Sequence, residues 1–254
     1  MSATHSAVVK LPVGADGMIV GDYVPAAGDF AVVWVHGFGS HRGGEKAAEV
    51  RAACAARGWP FAAFDFRGHG DSPGSMLDLR ASRLLEDLAA VRDLLADRGR
   101  TRLGLVGSSM GGFAAAWFTR RHPADVVGCV FLAPAFGFLE RRWNSITDAE
   151  RADWVRTGRR RVKSEWVDVD VGYGLVEERA DFTPEKLTAG WATPALLFHG
   201  CADDVVPDTD SLNFLRAVAF PDVELRLLKD GDHRLTAHKT TIADAAGSFF
   251  ERLS

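Results

Sequence analysis

Gly107-Ser108-Ser109-Met110-Gly111 is a G-x-S-x-G arrangement between an apolar run, residues 103–106, and a segment of helical spacing, residues 110–121. A serine on a sharp strand-to-helix turn exposes its hydroxyl, and glycines two residues to either side let the neighbouring elements close up. The helix N-terminus then offers backbone N–H groups and a favourable dipole to negative charge developing beside the serine. By this register Ser109 is the nucleophile and Ser108 only its neighbour. Attack on an acyl carbonyl also needs two donors for the oxyanion. One is the N–H of the residue after the nucleophile, Met110. The other belongs to the loop after the third strand, His36-Gly37-Phe38-Gly39, where Phe38 is the candidate.

The serine needs a base, and the chain has eight histidines. When a serine opens a helix in this way, the acid and then the histidine follow it along the chain. His5, His36, His41 and His69 precede Ser109; His36 reads as a hydrogen-bonding residue of its turn. His122 caps the end of the helix that Ser109 opens, and His199 ends a buried strand. His233 stands in Lys229-Asp230-Gly231-Asp232-His233, a glycine turn directly after the last strand, whereas His238 lies at the approach to the final helix. His233 is therefore the base. The acid follows the preceding strand, where Asp203 and Asp204 are adjacent. Neighbouring residues in a turn point different ways, so only one can orient the imidazole and stabilise its charged form.

Strand-like and helix-like segments alternate along the chain in a way that can position these groups. An opening hairpin falls at residues 8–11 and 18–23, followed by a continuous apolar strand at 31–35 and a helix at 45–57. A strand at 61–64 and a helix at 82–97 come next, then the strand and helix that flank Ser109, and a strand at 126–132. After an interruption come strands at 195–198 and 223–228 and helices at 209–219 and 242–252. Apolar runs of this kind belong to a parallel sheet covered on both faces, with ligands beyond the carboxyl ends of its strands. The interruption, residues 135–192, lacks an obvious strand and carries Phe136, Phe138, Trp143, Trp154, Trp166, Tyr173, Phe182 and Trp191. It reads as a small, largely helical cap.

A chain of 254 residues, 47% hydrophobic and 25% charged, fits one soluble domain, residues 1–254, with that cap inserted. The net charge of −4 gives no support to nucleic-acid binding. Cys54, Cys129 and Cys201 show no metal or redox spacing and read as small buried hydrophobes. Neither a signal peptide nor a membrane span is apparent, so a cytoplasmic location is the expectation.

HGFGS at His36, DFRGHGDS at Asp65, GSSMGG at Gly107, HGCADDVVP at His199 and GDHR at Gly231 occur in an order that resembles the α/β-hydrolase superfamily over nearly the whole chain. The FGS turn, the GSSMGG motif, the short cap and the DHR histidine are similar to a branch that contains a mitochondrial palmitoyl-protein thioesterase also cleaving acyl glucuronides, together with bacterial esterases. The resemblance implies an α/β-hydrolase fold, a Ser109–Asp203–His233 triad favouring Asp203 over Asp204, and Phe38 and Met110 as oxyanion donors. It implies a mostly structural role for the DFRGHGDS segment.

The expected reaction is hydrolysis of short to medium acyl esters through an acyl-enzyme, needing no metal or organic cofactor. A thioesterase or depalmitoylase and a serine peptidase are the alternatives. The alternative of a different class is a non-catalytic binding protein on a hydrolase scaffold. Eight basic residues between Arg141 and Lys163 face three acidic ones. They either attract anionic substrates such as acyl-CoA or glucuronides, or form a solvated helix face. Ser109→Ala is expected to lose on the order of 10⁴–10⁶ in kcat, and Ser108→Ala to stay within about tenfold of the parent. Labelling by a fluorophosphonate that persists in Ser109→Ala places the nucleophile elsewhere.

Overall fold

A computed structural model of the chain describes residues 6–15 and 17–254; His5 and Asp16 of the opening hairpin's turn lie outside them. Two antiparallel strands open the chain, β1 (Ala7–Val13) and β2 (Gly17–Val24). Then follow β3 (Phe30–Val35), α1 (Glu45–Arg57), β4 (Phe61–Asp65), α2 (Ala81–Asp97), β5 (Arg102–Ser108), α3 (Met110–Arg121) and β6 (Val126–Leu132). The interruption contains α4 (Phe138–Asn144), α5 (Asp148–Thr157), β7 (Arg159–Lys163), β8 (Asp168–Gly172), α6 (Gly174–Glu177) and α7 (Pro184–Thr188). The chain returns through β9 (Ala195–Gly200), α8 (Thr209–Ala217), β10 (Val223–Leu228) and α9 (Lys239–Glu251).

Eight strands form one sheet in the order β1-β2-β4-β3-β5-β6-β9-β10. The β1–β2 and β2–β4 pairs are antiparallel and every later pair is parallel. The central strands are buried throughout because they are apolar on both faces. Their period of two divides the core: Ala31, Val33, Val35, Cys129, Phe131 and Leu197 pack beneath α2, α3 and the cap. Val32, Trp34, Val130, Leu132, Leu196 and Phe198 face α1 and α9 on the other side.

The interruption is not wholly helical. Strands β7 and β8 pair as an antiparallel hairpin outside the main sheet. Its first strand, Arg-Arg-Arg-Val-Lys, alternates exposed and half-buried residues, and its long basic side chains conceal that alternation in the sequence. The eight aromatic residues divide by burial. Phe136, Phe138, Trp154, Phe182 and Trp191 are buried, whereas Trp166 is 61% exposed. Phe136 stacks on Phe214 at 4.5 Å and Phe182 meets Trp117 edge-on at 5.0 Å, so these two rings pack the cap and its flanks onto the body. Cys54 and Cys129 are buried as expected, but Cys201 is exposed because it sits in the turn that leaves β9.

The crossing of β5 and α3 beneath β3 leaves no room for side chains at the motif glycines. A Cβ on Gly107 would stand 2.6 Å from the Gly111 carbonyl oxygen, and one on Gly111 would run into the carbonyl oxygens of Val35 and His36. Backbone cannot retreat as a flexible side chain can. Gly111→Ala is therefore expected to cost about 1–3 kcal/mol, with roughly 2–4 °C of melting midpoint lost per kcal/mol. Thermal denaturation followed by circular dichroism measures this; an unchanged midpoint contradicts the close packing.

Candidate active site

Ser109 separates the last residue of β5 from the first of α3 and has φ 54° and ψ −117°. Its N–H donates to the Leu132 carbonyl at 2.9 Å, and its own carbonyl accepts from Phe113 N–H at 3.2 Å and Ala135 N–H at 3.1 Å. The backbone is thus pinned from three sides in a region side chains rarely adopt. Ala133 (φ 43°) and Leu235 (φ 51°) share the left-handed sign, and all three lie in connections that follow the carboxyl ends of strands.

The geometry brings Ser109, His233 and Asp203 together. His233 Nδ1 lies 2.8 Å from Asp203 Oδ2, and its Nε2 lies 3.0 Å from Ser109 Oγ. With the proton on Nδ1, that group donates to the carboxylate and Nε2 is left to accept the serine hydroxyl. The Asp203 side chain is completely buried. Its Oδ1 accepts the N–H groups of Val205 at 2.9 Å and Val206 at 2.8 Å. Its Oδ2 also stands 3.2 Å from His199 Nε2. Burial by itself would raise the Asp203 carboxyl, but hydrogen bonds from His199, His233 and the Val206 N–H, joined by the charge of His233, hold it well below the usual carboxylate range. Asp204 is exposed. Asp168 and Asp170 pair with Arg161 within the cap hairpin.

His199 is the residue whose part the sequence did not disclose. Beyond Asp203, its Nε2 meets the Val206 carbonyl at 3.0 Å and its Nδ1 accepts the Ser211 hydroxyl at 2.7 Å. It therefore ties β9, the turn that carries Asp203 and α8 together behind the carboxylate. Its only signal in the sequence was a polar residue ending an apolar strand. The other histidines serve elsewhere. His36 donates from Nδ1 to Gly37 O at 2.8 Å and accepts Phe66 N–H on Nε2 at 3.0 Å. Burial, with the charge of His69 beside it, pushes His36 down to about 3, so it stays neutral. His122 closes α3, and His238 pairs with Asp230 at 3.1 Å.

The Gly37 position touches the serine: a Cβ there would lie 3.3 Å from Ser109 Cβ. The next residue is Phe38. Among the described residues neither Phe38 N–H nor Met110 N–H donates to a protein acceptor. The DFRGHGDS segment anchors the loop that carries Phe38. Asp65 accepts Arg42 N–H at 2.6 Å, Asp71 N–H at 3.0 Å and the Arg42 guanidinium. The Ser72 hydroxyl donates to Asp65 O at 2.6 Å. Below the turn, Lys46 donates from Nζ to Ser108 Oγ at 3.0 Å. Burial, then the charge of Arg234, draws that ammonium down to about 8.

Over the site, the tip of the cap hairpin reaches two loops. Val167 packs against Gly39, and the Trp166 ring lies 4.4 Å from the Arg234 guanidinium carbon. From α4, Arg142 stacks over Phe38 at 4.1 Å and over Phe138 at 4.8 Å. A separate cavity of about 500 Å³ lies under the β1–β2 hairpin, lined by Val13, Met18, Arg67, Leu79 and Asp87. It holds none of the three converging residues.

A mostly parallel sheet, with its serine between a strand and a helix and a histidine presented from beyond the last strand, defines an α/β-hydrolase. The chain belongs to the Hydrolase_4 family, described as serine aminopeptidase, S33, whose pattern matches residues 27–166. It is 25% identical over 207 residues to the mitochondrial palmitoyl-protein thioesterase ABHD10 of Rattus norvegicus, covering 80% of this chain and 69% of that one. A solved structure from Agrobacterium vitis S4, named no more closely than a hydrolase, superposes with a TM-score of 0.85 at 28% identity over 98% of both chains. Mouse alpha/beta hydrolase domain-containing protein 10 has the same fold, with a TM-score of 0.85 at 22% identity, covering 98% of this chain and 100% of that one. Among the described residues no helix is long and apolar enough to cross a membrane.

Asp203→Asn is expected to lose about 10⁴ in kcat, because an amide favours the wrong imidazole tautomer and cannot stabilise the imidazolium. Since the carboxylate also holds Val205, Val206 and His199, the variant should melt several degrees lower yet remain folded, each charged hydrogen bond contributing about 1.5–3 kcal/mol. Asp204→Asn should change neither quantity appreciably. Side-by-side kcat and melting midpoints decide between the two aspartates, and an inactive, folded Asp204→Asn makes that residue the acid.

Proposed function

We propose that this chain is a serine carboxylic-ester hydrolase acting on short to medium acyl esters through an acyl-enzyme. The observation that carries the reading is the unbroken hydrogen-bonded series from Asp203 through His233 to Ser109 Oγ. In the proposed reaction His233 Nε2 takes the hydroxyl proton as Ser109 Oγ bonds to the acyl carbon. The carbonyl oxygen, now an oxyanion, accepts the Phe38 and Met110 N–H groups. The imidazolium, held in place by Asp203, passes its proton to the leaving alkoxide, and the ester C–O bond breaks. Water then enters, loses a proton to His233 and releases the acid, which regenerates Ser109. Removing one oxyanion donor from such a site typically costs about 10²–10³ in rate.

A thioester substrate is the second reading, and the thioesterase name of the relative from Rattus norvegicus favours it. The same steps serve, with a thiolate leaving in place of an alkoxide. A peptidase of the aminopeptidase kind needs an acid to receive the substrate's ammonium. The charged group stacked on Phe38 is instead the Arg142 guanidinium, which argues against that reading.

A panel of p-nitrophenyl esters and matched acyl thioesters tests the proposal, with chains from about two to about sixteen carbons, each buried CH₂ adding up to about 0.8 kcal/mol of binding. With so small a cap, kcat/KM should rise over the first few carbons and then fall. A continuous rise to the longest chain, with activation at an oil interface, contradicts it. Thioesters preferred over esters at every length establish the second reading.

A further inference from the structure

The basic run of the cap resolves into charges that are paired or open to water, and one that is neither paired nor exposed. Arg141 pairs with Asp210, and Arg151 with Asp148 at 2.7 Å. Arg156 pairs with Asp153, Arg160 with Glu150 at 3.5 Å, and Arg161 with Asp168 at 2.7 Å. Lys163 stands 4.0 Å from Asp168, and Arg159 is exposed to water. Arg142 differs from all of these: it is half-buried rather than exposed, and it has no counter-charge. Among the described residues its side chain makes no hydrogen bond and no ion pair, and its Nε is buried without a partner.

Its surroundings are two aromatic faces, Phe38 and Phe138. The neighbouring charge that acts on it is Arg160, of like sign; burial first and Arg160 second push the guanidinium down to about 10, so it stays cationic at neutral pH. Ring faces replace only part of the hydration a half-buried guanidinium gives up, and its enclosed Nε–H has no acceptor to make up the rest. Sites that keep such a group are characteristically those that bind something with it. A guanidinium presents a planar fork of donors that fits a carboxylate or phosphate through two parallel hydrogen bonds. Phe38 fixes where that fork lies, because the same residue carries the backbone N–H offered to the reacting carbonyl, next to Gly37 and Ser109.

We infer that Arg142 is a specificity residue that binds an anionic oxygen group, carboxylate or phosphate, borne by the substrate a few bonds from its scissile carbonyl. This rests on the ester-hydrolase reading for the reaction but not for the binding. It makes the preferred substrate a charged ester rather than a plain alkyl one. The remaining cations of the run, paired or open to water, serve the hairpin and helices that hold α4 in place.

A matched pair of substrates tests it: p-nitrophenyl valerate, and p-nitrophenyl hydrogen glutarate, which has the same chain length and ends in a carboxylate. The parent protein should favour the glutarate monoester by at least about tenfold in kcat/KM, and Arg142→Gln should collapse that ratio to about one or below. Glutarate or inorganic phosphate, added to protein without substrate, should raise the melting midpoint of the parent and not that of Arg142→Gln. The anion that does so identifies the group. If Arg142→Gln fails to fold, the parent's substrate ratio and its response to the two anions still decide.

The inference is overturned if the parent has no preference for the charged ester and neither anion shifts its midpoint. It is also overturned if Arg142→Gln slows both esters equally and melts lower, the behaviour of a residue that merely clamps Phe38. Should neither ester be hydrolysed while an anion shifts the midpoint through Arg142, the binding inference stands and the reaction reading fails.

Discussion

Holding one serine at φ 54° and ψ −117° is the constraint around which this fold is organised. Such a backbone costs on the order of 1–3 kcal/mol and persists only where its surroundings over-determine it. Here they do. Leu132, Phe113 and Ala135 hold both backbone groups of Ser109. Gly107 and Gly111 permit an approach of β5, α3 and β3 that no side chain would tolerate. Strands β5 and β6, buried on both faces, supply the rigidity against which the turn is bent. The reward is geometric. The hydroxyl stands clear of its own backbone, at the N-terminus of α3 and beneath loops arriving from three other strands.

A second constraint is electrostatic. Asp203 is a fully buried carboxylate, and an unpaired one would unfold its own loop or take up a proton. Four groups converge on its two oxygens, from Val205, Val206, His199 and His233. The carboxylate therefore stays ionised and fixed in plane, and the imidazole of His233 inherits that orientation. His199 matters for this reason although it is too deep to meet a substrate. It converts the packing of α8 against β9, through Ser211, into the placement of a charge. Asp204, one residue on, faces water and has no such company.

What the sequence disclosed divides along the same line. Local signals were legible: the order of strands and helices, the serine between its glycines, and a histidine in a glycine turn after the last strand. Each depends on neighbours within a few residues. Long-range partnerships left no mark. Nothing in His199-Gly200-Cys201-Ala202 says that the histidine will turn back onto Asp203, and nothing near Lys46 announces a bond to Ser108. The cap was the least legible part. Its hairpin is written in arginines, whose length lets them lie along a surface while their charges reach solvent, so neither an apolar stripe nor a clean alternation appears. The cysteines looked alike in composition, but the turn after β9 leaves Cys201 outside the core that encloses the other two.

Phe38 is where the general and the particular parts of the molecule join. Its backbone belongs to the β3 loop, which Asp65, Arg42 and His36 fix to the body. Its ring belongs with the cap, lying between Phe138 and Arg142 of α4 on one side and His69 on the other. A movement of α4 that shifts Arg142 must therefore press on the residue that follows Gly37, the glycine beside Ser109. The ion pair of Arg141 with Asp210 spans from α4 to α8, the helix that also supports His199 and, through it, Asp203. The cap thus touches elements that lead to both ends of the Ser109–His233–Asp203 series, the β3 loop at one end and α8 at the other. The positions of the Arg142 guanidinium and of the Phe38 ring are therefore set together, by one packing arrangement that the cap and the body share.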